Sequence, residues 1–198
     1  MVSVKMQDII LNPQLKKEKQ AIVLKPIKNK NDIKKDKEYN GYLINASEKQ
    51  VRAIIDSLKS TKSNKLIAVI GRDDVFNRRV IETCKIDYLV SPERGFRRDS
   101  VKQRDSGLNH VIAKEAGKRK ISIVINFSEL FDEGNRKKKE RAEILARIMQ
   151  NIKICRRAKC KIKIATLAKT KEQLRTENEL GSFGFSLGMS SQQVKEGV

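Results

Sequence analysis

The sequence predicts an α/β fold in which strands and helices alternate along one chain of 198 residues. Short apolar runs recur, and several are apolar throughout, which is typical of strands buried on both faces. A helical pattern with boundary signals follows most of them. Such alternation implies parallel strands joined by helical crossovers. About seven strands favour a closed or nearly closed barrel over an open sheet.

The predicted strands are apolar runs of three to five residues: Val2–Met6, Ala21–Leu24, Tyr42–Ile44, Leu66–Ile70, Tyr88–Val90, Ile121–Ile125 and Ile162–Ala165. Polar side chains mark the helix starts. Ser47 with Gln50, Thr176 with Glu179, and Ser190 with Gln193 have the spacing of a capping box, and Asp73 can cap a further helix. The segment from Leu15 to Lys37 is rich in Lys and Asn and gives the weakest pattern.

Apolar stripes at helical spacing predict the buried faces of the helices. The stripes are Val51, Ile54, Ile55 and Leu58; Val80, Ile81 and Cys84; Leu108, Val111 and Ile112 on a helix ending at Gly117; and Ala142, Leu145, Ile148, Ile152 and Cys155 on the longest helix.

The charge of the chain points to a polyanionic partner. Lys and Arg number 44 against 24 Asp and Glu, a formal net charge of +20. Such a charge repels itself unless a partner neutralises it, so a nucleic acid is the first partner to consider. AT-rich coding could also raise the Lys content, but it would not explain Arg clusters or an uneven distribution. Aromatic residues are only 5%, which favours recognition of backbone and shape over base stacking.

Half of the net charge lies between Gly134 and Lys163, where twelve Lys and Arg face two Glu. The run Arg136, Lys137, Lys138 and Lys139 stands where the longest helix begins, a place where cations oppose the helix macrodipole. This indicates an anionic partner, although an isolated run of this kind is usually a solvated surface. Arg156, Arg157 and Lys159 at the other end are weaker candidates, because cations are favourable there without any partner.

A second candidate is the loop that follows the predicted strand Tyr88–Val90. It offers Arg94, Arg97, Arg98, Lys102 and Arg104 around Gly95 and Phe96. Arg binds phosphate in a bidentate manner, and loops after strands carry function in α/β folds. We expect a contact with RNA or protein here, with a flexible solvated loop as the alternative.

Autonomous catalysis finds little support in the sequence. His110 is the one histidine, whereas barrel metallohydrolases gather several His and carboxylates. Cys84, Cys155 and Cys160 form an odd, unpatterned set, and Walker and Gly-x-Ser-x-Gly motifs are absent. We expect no catalytic residue and no bound metal, although an all-carboxylate Mg²⁺ site stays open. Unpatterned thiols, without a signal peptide or membrane span, predict a soluble cytoplasmic protein.

The segment Asp105–Ala116 (DSGLNHVIAKEA), followed by Ile121–Leu130 (ISIVINFSEL), resembles protein component 3 of archaeal ribonuclease P, the counterpart of the thirty-kilodalton eukaryotic subunit. Further matches are the basic helix Arg141–Cys160, Leu174–Arg175 and the turn Leu187-Gly188-Met189-Ser190. The chain departs from the family at Ala165-Thr166-Leu167-Ala168, where a Ser/Gly stretch is usual, and at Arg175-Thr176-Glu177, where Pro is common. The resemblance covers the second half well.

The resemblance implies a single TIM-barrel-like β/α domain over residues 1–198, similar to polymerase-and-histidinol-phosphatase-type metallohydrolases but without their metal site. It implies a non-catalytic RNA-binding subunit of ribonuclease P, the endonuclease that removes the 5′ leader from precursor tRNA. The RNA, with Mg²⁺, would perform the cleavage. The protein would neutralise phosphates and stabilise the RNA, with protein component 2 and other subunits as partners. Asn109 and His110 would be structural or near the contact surface.

Two alternatives remain at this stage. An autonomous metal-dependent phosphoesterase of the same barrel superfamily would show metal-dependent activity without RNA. A general nucleic-acid packaging protein would bind duplex DNA and structured RNA equally well.

Overall fold

Seven strands form one sheet in the computed structural model, which describes residues 7–33, 36–60, 64–95, 104–131 and 138–198. The strands are β1 (Asp8–Ile10), β2 (Ala21–Ile27), β3 (Gly41–Ile44), β4 (Leu66–Ile70), β5 (Tyr88–Val90), β6 (Ser122–Asn126) and β7 (Ile162–Ala165). They lie in chain order, and all six neighbouring pairs are parallel. The α/β barrel predicted from the sequence is therefore confirmed.

The barrel closes between β1 and the backbone that follows β7. The Leu167 N–H donates to the Ile9 carbonyl at 2.7 Å, and the Leu11 N–H donates to the Ala168 carbonyl at 2.9 Å. We call this junction the closure seam. The carboxyl ends of the strands form the mouth of the barrel, and their amino ends form its base.

Two apolar layers account for the all-apolar strands. Inside the barrel, side chains such as Leu24, Leu43 and Val124 pack against one another. Outside it, alternate side chains such as Ile44 and Ile123 pack against the helices. Because both faces of the sheet are covered, the strands lack the polar alternation of a half-exposed sheet.

Seven helices are described: α1 (Glu48–Ser60), α2 (Asp74–Thr83), α3 (His110–Lys118), the one-turn α4 (Phe127–Leu130), α5 (Lys138–Ala158), α6 (Glu177–Ser186) and α7 (Ser191–Gly197). Short 3₁₀ turns occur at Pro13–Lys17, Lys30–Asp32, Pro92–Arg94 and Lys171–Gln173. Most of the predicted caps are present, and at the start of α1 the Gln50 Oε1 accepts from the Ser47 N–H at 3.0 Å. Asp73 accepts from the Phe76 N–H, and Thr176 and Ser190 open α6 and α7 with capping boxes.

Several local predictions need correction or fall outside the described residues. The predicted strand Val2–Met6 lies outside them, and the first described strand is Asp8–Ile10, which the pattern missed. Val111 is 65% exposed, because α3 turns only Ile112, Ala113 and Ala116 toward the core. On α5, Ala142 is exposed, and the buried stripe starts further along the helix.

Lys163 on β7 points into the barrel, in register with Val124 of β6, and is only 2% exposed. Its ammonium donates to the Gln7 carbonyl. Burial lowers the pKa of Lys163 from 10.5 to about 8; Asp8 counteracts this shift and Lys19 adds to it. The sequence counted this lysine among the surface charges, and the structure shows that it is an interior one.

The pKa of Lys163 predicts that stability rises with pH. Between pH 8 and 10.5 the unfolded chain binds more protons than the folded one, so deprotonation favours folding by roughly 3 kcal/mol across that window. Urea unfolding from pH 7 to 10.5 should show the wild type gaining stability relative to Lys163→Met, which lacks this titration. Parallel pH profiles for the two proteins would contradict it.

Candidate nucleic-acid interface

The buried side chain of Asn77 on α2 contacts both ends of the loop after β5, and at the start of the loop its Nδ2 donates to the Pro92 carbonyl at 3.4 Å. The Asn77 amide Oδ1 accepts from the Arg72 N–H at 2.8 Å, and its Nδ2 donates to the Gly107 carbonyl at 3.0 Å. Gly107 has φ +70°, and a Cβ there would lie 2.0 Å from the Pro92 carbonyl oxygen. Only glycine therefore allows this close approach of the two loop ends.

Side chains of α5 hold both ends of the same loop. The buried Arg147 donates to the Gly95 carbonyl at 3.2 Å, and Gln150 donates to the Arg104 carbonyl at 3.3 Å. Asn151 donates to the Ser106 carbonyl at 2.9 Å. The sequence counted Arg147 as part of a basic run, but its guanidinium is used to position the loop.

The structure brings three of the predicted RNA-binding residues to the mouth of the barrel. Arg94 and Arg104 lie at the two anchored ends of the loop, and Lys139 lies in the first turn of α5. Arg104 and Lys139 are exposed, while Arg94 forms an ion pair with Glu129. We call Arg94, Arg104 and Lys139 the upper cluster. Arg97, Arg98, Lys102, Arg136 and Lys137 lie outside the described residues, as does the side chain of Lys138.

The remaining predicted residues lie at the opposite end of α5, near the base. Arg156, Arg157 and Lys159 are all exposed. Arg156 donates to the Gly188 carbonyl at 2.9 Å and so braces the turn between α6 and α7. Lys159 terminates α5 with φ 54°, a left-handed conformation that glycine usually adopts at this position.

Sequence reasoning missed a neighbour of Lys159. Lys120 and Lys159 each stand three residues before a register pair of adjacent strands, Ile123 and Ile162. Lys120 is also exposed and left-handed, with φ 60°. A Cβ on Gly117 would lie 3.3 Å from the Lys159 carbonyl oxygen, so the ends of α3 and α5 touch. We call Lys120, Arg157, Lys159 and Lys161 the lower rim.

The predicted residues that the structure describes therefore lie on two surfaces, one at each end of the barrel. Lys139 and Arg156 are 17 positions apart on one continuous helix, or about 25 Å at a rise of about 1.5 Å per residue. The lower rim could have been inferred from the predicted parallel pairing of the strands. That pairing aligns the residues that precede neighbouring strands.

The described part of the chain contains no group of three or more His, Cys, Asp or Glu that could hold a metal ion. His110 is exposed at the first turn of α3, and Asn109 caps that helix by accepting from the Ile112 N–H at 2.9 Å. The three cysteines are free and buried. No helix in the described ranges is long and apolar enough to cross a membrane.

A seven-stranded barrel with basic surfaces at both ends has the features of a nucleic-acid-binding α/β barrel. Residues 2–198 match the family described as RNase P subunit p30. The chain belongs to this family, as its resemblance to the archaeal subunit indicated.

Relatives and solved structures agree with this assignment. Ribonuclease P protein component 3 of Methanocaldococcus jannaschii is 30% identical over 74% of this chain and 59% of its own length, so the chain spans about three fifths of that relative. The Thermococcus gammatolerans protein of the same name is 26% identical over 72% of this chain and 62% of its own length. A chain in the structure of archaeal ribonuclease P with mature tRNA superposes with a TM-score of 0.70, at 25% identity, covering 94% of this chain and 85% of that chain. An amidohydrolase at 12% identity, with a TM-score of 0.52 and coverage of 92% and 41%, shares the fold alone.

Proposed function

We propose that this chain is a non-catalytic, RNA-binding subunit of ribonuclease P, acting in the cytoplasm as one domain. The observation that carries the proposal is the match to the p30 family along nearly the whole chain. The two basic surfaces supply the physical means, because Lys and Arg side chains neutralise phosphates and release counterions.

The upper cluster and the loop that it flanks would make one set of phosphate contacts. Arg147, Gln150 and Asn151 fix the described ends of that loop on α5. The predicted members Arg97, Arg98 and Lys102, with Arg136 to Lys139, belong to this set. Arg156, Arg157 and Lys159, joined by Lys120, would make a second set at the base.

The chemistry of 5′-leader removal belongs to the RNA in this proposal, with Mg²⁺ bound by the complex. The chain itself would stabilise the folded RNA and dock protein component 2 and other subunits, with precursor tRNA as the substrate of the assembly. An autonomous metal-dependent phosphoesterase is not favoured, because the whole chain matches a ribonuclease P subunit family.

Reconstitution tests the proposal. Ribonuclease P RNA and protein component 2 would be assayed for cleavage of precursor tRNA at low Mg²⁺, with and without this protein. We expect the protein to raise the cleavage rate. The protein alone, with Mg²⁺ or Mn²⁺, is the matched control for autonomous activity. Metal-dependent cleavage by the protein alone, or an unchanged rate in the assembly, would contradict the proposal.

Binding measurements separate this function from general packaging of nucleic acids. The affinity for ribonuclease P RNA should exceed that for duplex DNA of equal length at the same salt concentration. It should also fall steeply as salt rises from 50 to 200 mM, by at least about tenfold, because counterions are released on binding. Equal affinities for the two nucleic acids would favour the packaging role.

A further inference from the structure

A cavity of about 600 Å³ opens at the mouth of the barrel. Its floor includes the apolar side chains of Leu11, Leu43, Ile70 and Leu167. In α/β barrels this end of the strands is where ligands bind, and small-molecule sites commonly span roughly 300–1,000 Å³ with an apolar lining and a few polar groups. The position and size of the cavity are those of a ligand site.

One side of the rim is a fixed polar group. Arg94 pairs with Glu129, and Asn126 Nδ2 donates to Glu129 Oε2 at 3.2 Å. The Asn126 Oδ1 also accepts from the Glu129 N–H at 3.3 Å. The guanidinium of Arg94 is therefore held in place at the edge of an apolar floor, where its plane can stack on a base and its N–H groups can reach a phosphate.

The rim also carries Lys28, which follows β2, and Lys169, which follows β7, and both side chains are exposed. The nearby Asp32 carboxylate accepts from the backbone N–H groups of Lys28 and Asn29, at 2.8 and 2.9 Å. These bonds lower the pKa of Asp32. The charge of Lys28 also lowers the pKa of Asp32, and Glu129 is engaged by Arg94 and Asn126. The exposed ammonium groups of Lys28 and Lys169 are the cations that an anion at the mouth would meet.

Backbone strain occurs at this end of the barrel in residues that follow strands. Leu167, on the cavity floor, has φ 46°, and Ser91, which leads into the turn holding Arg94, has φ 51°. Side chains other than glycine rarely adopt this left-handed conformation, and it persists where the surroundings enforce it, often at ligand sites. This observation is independent of the charges on the rim.

We propose that the barrel mouth binds a nucleoside monophosphate, either as a free mononucleotide or as an unpaired nucleotide of a bound RNA. The phosphate would meet Lys28 and Lys169, the apolar floor would cover one face of the ribose and base, and Arg94 would border the base. The RNA source rests on the function proposed above, whereas the free mononucleotide does not.

Calorimetric titration of the full chain with AMP, GMP, CMP and UMP tests the free source, with inorganic phosphate and adenosine as partial ligands. Crosslinking of ribonuclease P RNA substituted with 4-thiouridine, mapped to peptides, tests the RNA source. Lys28→Ala/Lys169→Ala should weaken mononucleotide binding, or reduce crosslinks at the mouth, at least about tenfold. Both lysines are exposed, so the variant should fold, and Lys195→Ala on α7 is the matched control.

Each outcome decides between the sources or against the site. The site binds a free mononucleotide if mononucleotides bind more tightly than phosphate or adenosine and if this binding is lost in the double variant. Crosslinks at the mouth without mononucleotide binding establish the RNA source. If neither mononucleotide binding nor crosslinks at the mouth are observed, the proposed nucleotide site is wrong, even if the overall RNA affinity is intact. A wild-type protein without affinity for the RNA would instead overturn the proposed function.

Discussion

Replacing Asp8 with alanine is expected to destabilise the fold by roughly 3–5 kcal/mol, the range observed when one partner of a buried ion pair is removed. The Asp8 side chain is 2% exposed and pairs with Lys19 at 3.0 Å. Its Oδ1 accepts from the Thr166 N–H and its Oδ2 from the Thr166 Oγ1, both at 2.8 Å. The carboxylate therefore ties β1 to the chain after β7 across the closure seam, and its loss leaves buried donors without an acceptor.

Urea unfolding followed by circular dichroism measures this loss as a shift of the unfolding midpoint relative to the wild type. Glu18→Ala is the matched control at the same junction. Glu18 pairs with Lys171 at 3.0 Å, but both side chains are about half exposed or more, so we expect a change below about 1 kcal/mol. If Asp8→Ala does not fold, Asp8→Asn should give an intermediate loss. Wild-type stability in both Asp8→Asn and Asp8→Ala would refute the stabilising role of Asp8 at the closure seam.

Removing charge from both ends of the barrel is expected to weaken RNA binding. The loss of binding free energy should grow roughly in proportion to the number of phosphates that the protein no longer neutralises. The first variant is Arg97→Ala/Arg98→Ala, in the loop whose two ends lie at the mouth. The second, at the base, is Lys120→Gly/Lys159→Gly, which also relieves two left-handed residues. Each pair should cost roughly tenfold to a hundredfold in affinity and lower the salt slope by about 1.4–1.8, since each phosphate left without its cation removes about 0.7–0.9.

Filter binding across 50–200 mM salt gives both quantities, and thermal unfolding confirms that the variants are folded. Lys49→Ala/Lys195→Ala removes two exposed lysines outside both surfaces and serves as the control. The four substitutions together should show additive losses, because the two ends lie too far apart to interact directly. A base variant that binds as tightly as the control would exclude the lower rim and leave the mouth as the RNA surface.

The positions of most strands and most helix caps could be predicted from the sequence because they depend on local chemistry. Apolar runs and polar caps such as Thr176 with Glu179 carry their structure within a few residues. The strand Asp8–Ile10 could not, because it begins with a carboxylate, and Asp8 is stabilised by Thr166, far along the chain. Tertiary contacts decide such cases.

Charge was the part of the candidate site that sequence described least well. Arg147 and Lys163 carry the same formal charge as Lys139, yet both are buried, one positioning a loop and the other lying inside the barrel. Composition counts charges without showing which of them reach solvent. Lys120 shows the reverse error, since only the pairing of β6 with β7 places it beside Lys159.

The length of α5 has a geometric consequence for any RNA that touches both ends of the barrel. Ile148, Ile152 and Cys155 pin the helix to the core, so it acts as an inflexible spacer. An RNA that contacts both surfaces must therefore present phosphates about 25 Å apart, a separation that spans several nucleotides. The length of α5 would thus set the length of RNA that the protein can contact at both ends, and inserting one helical turn would increase that length.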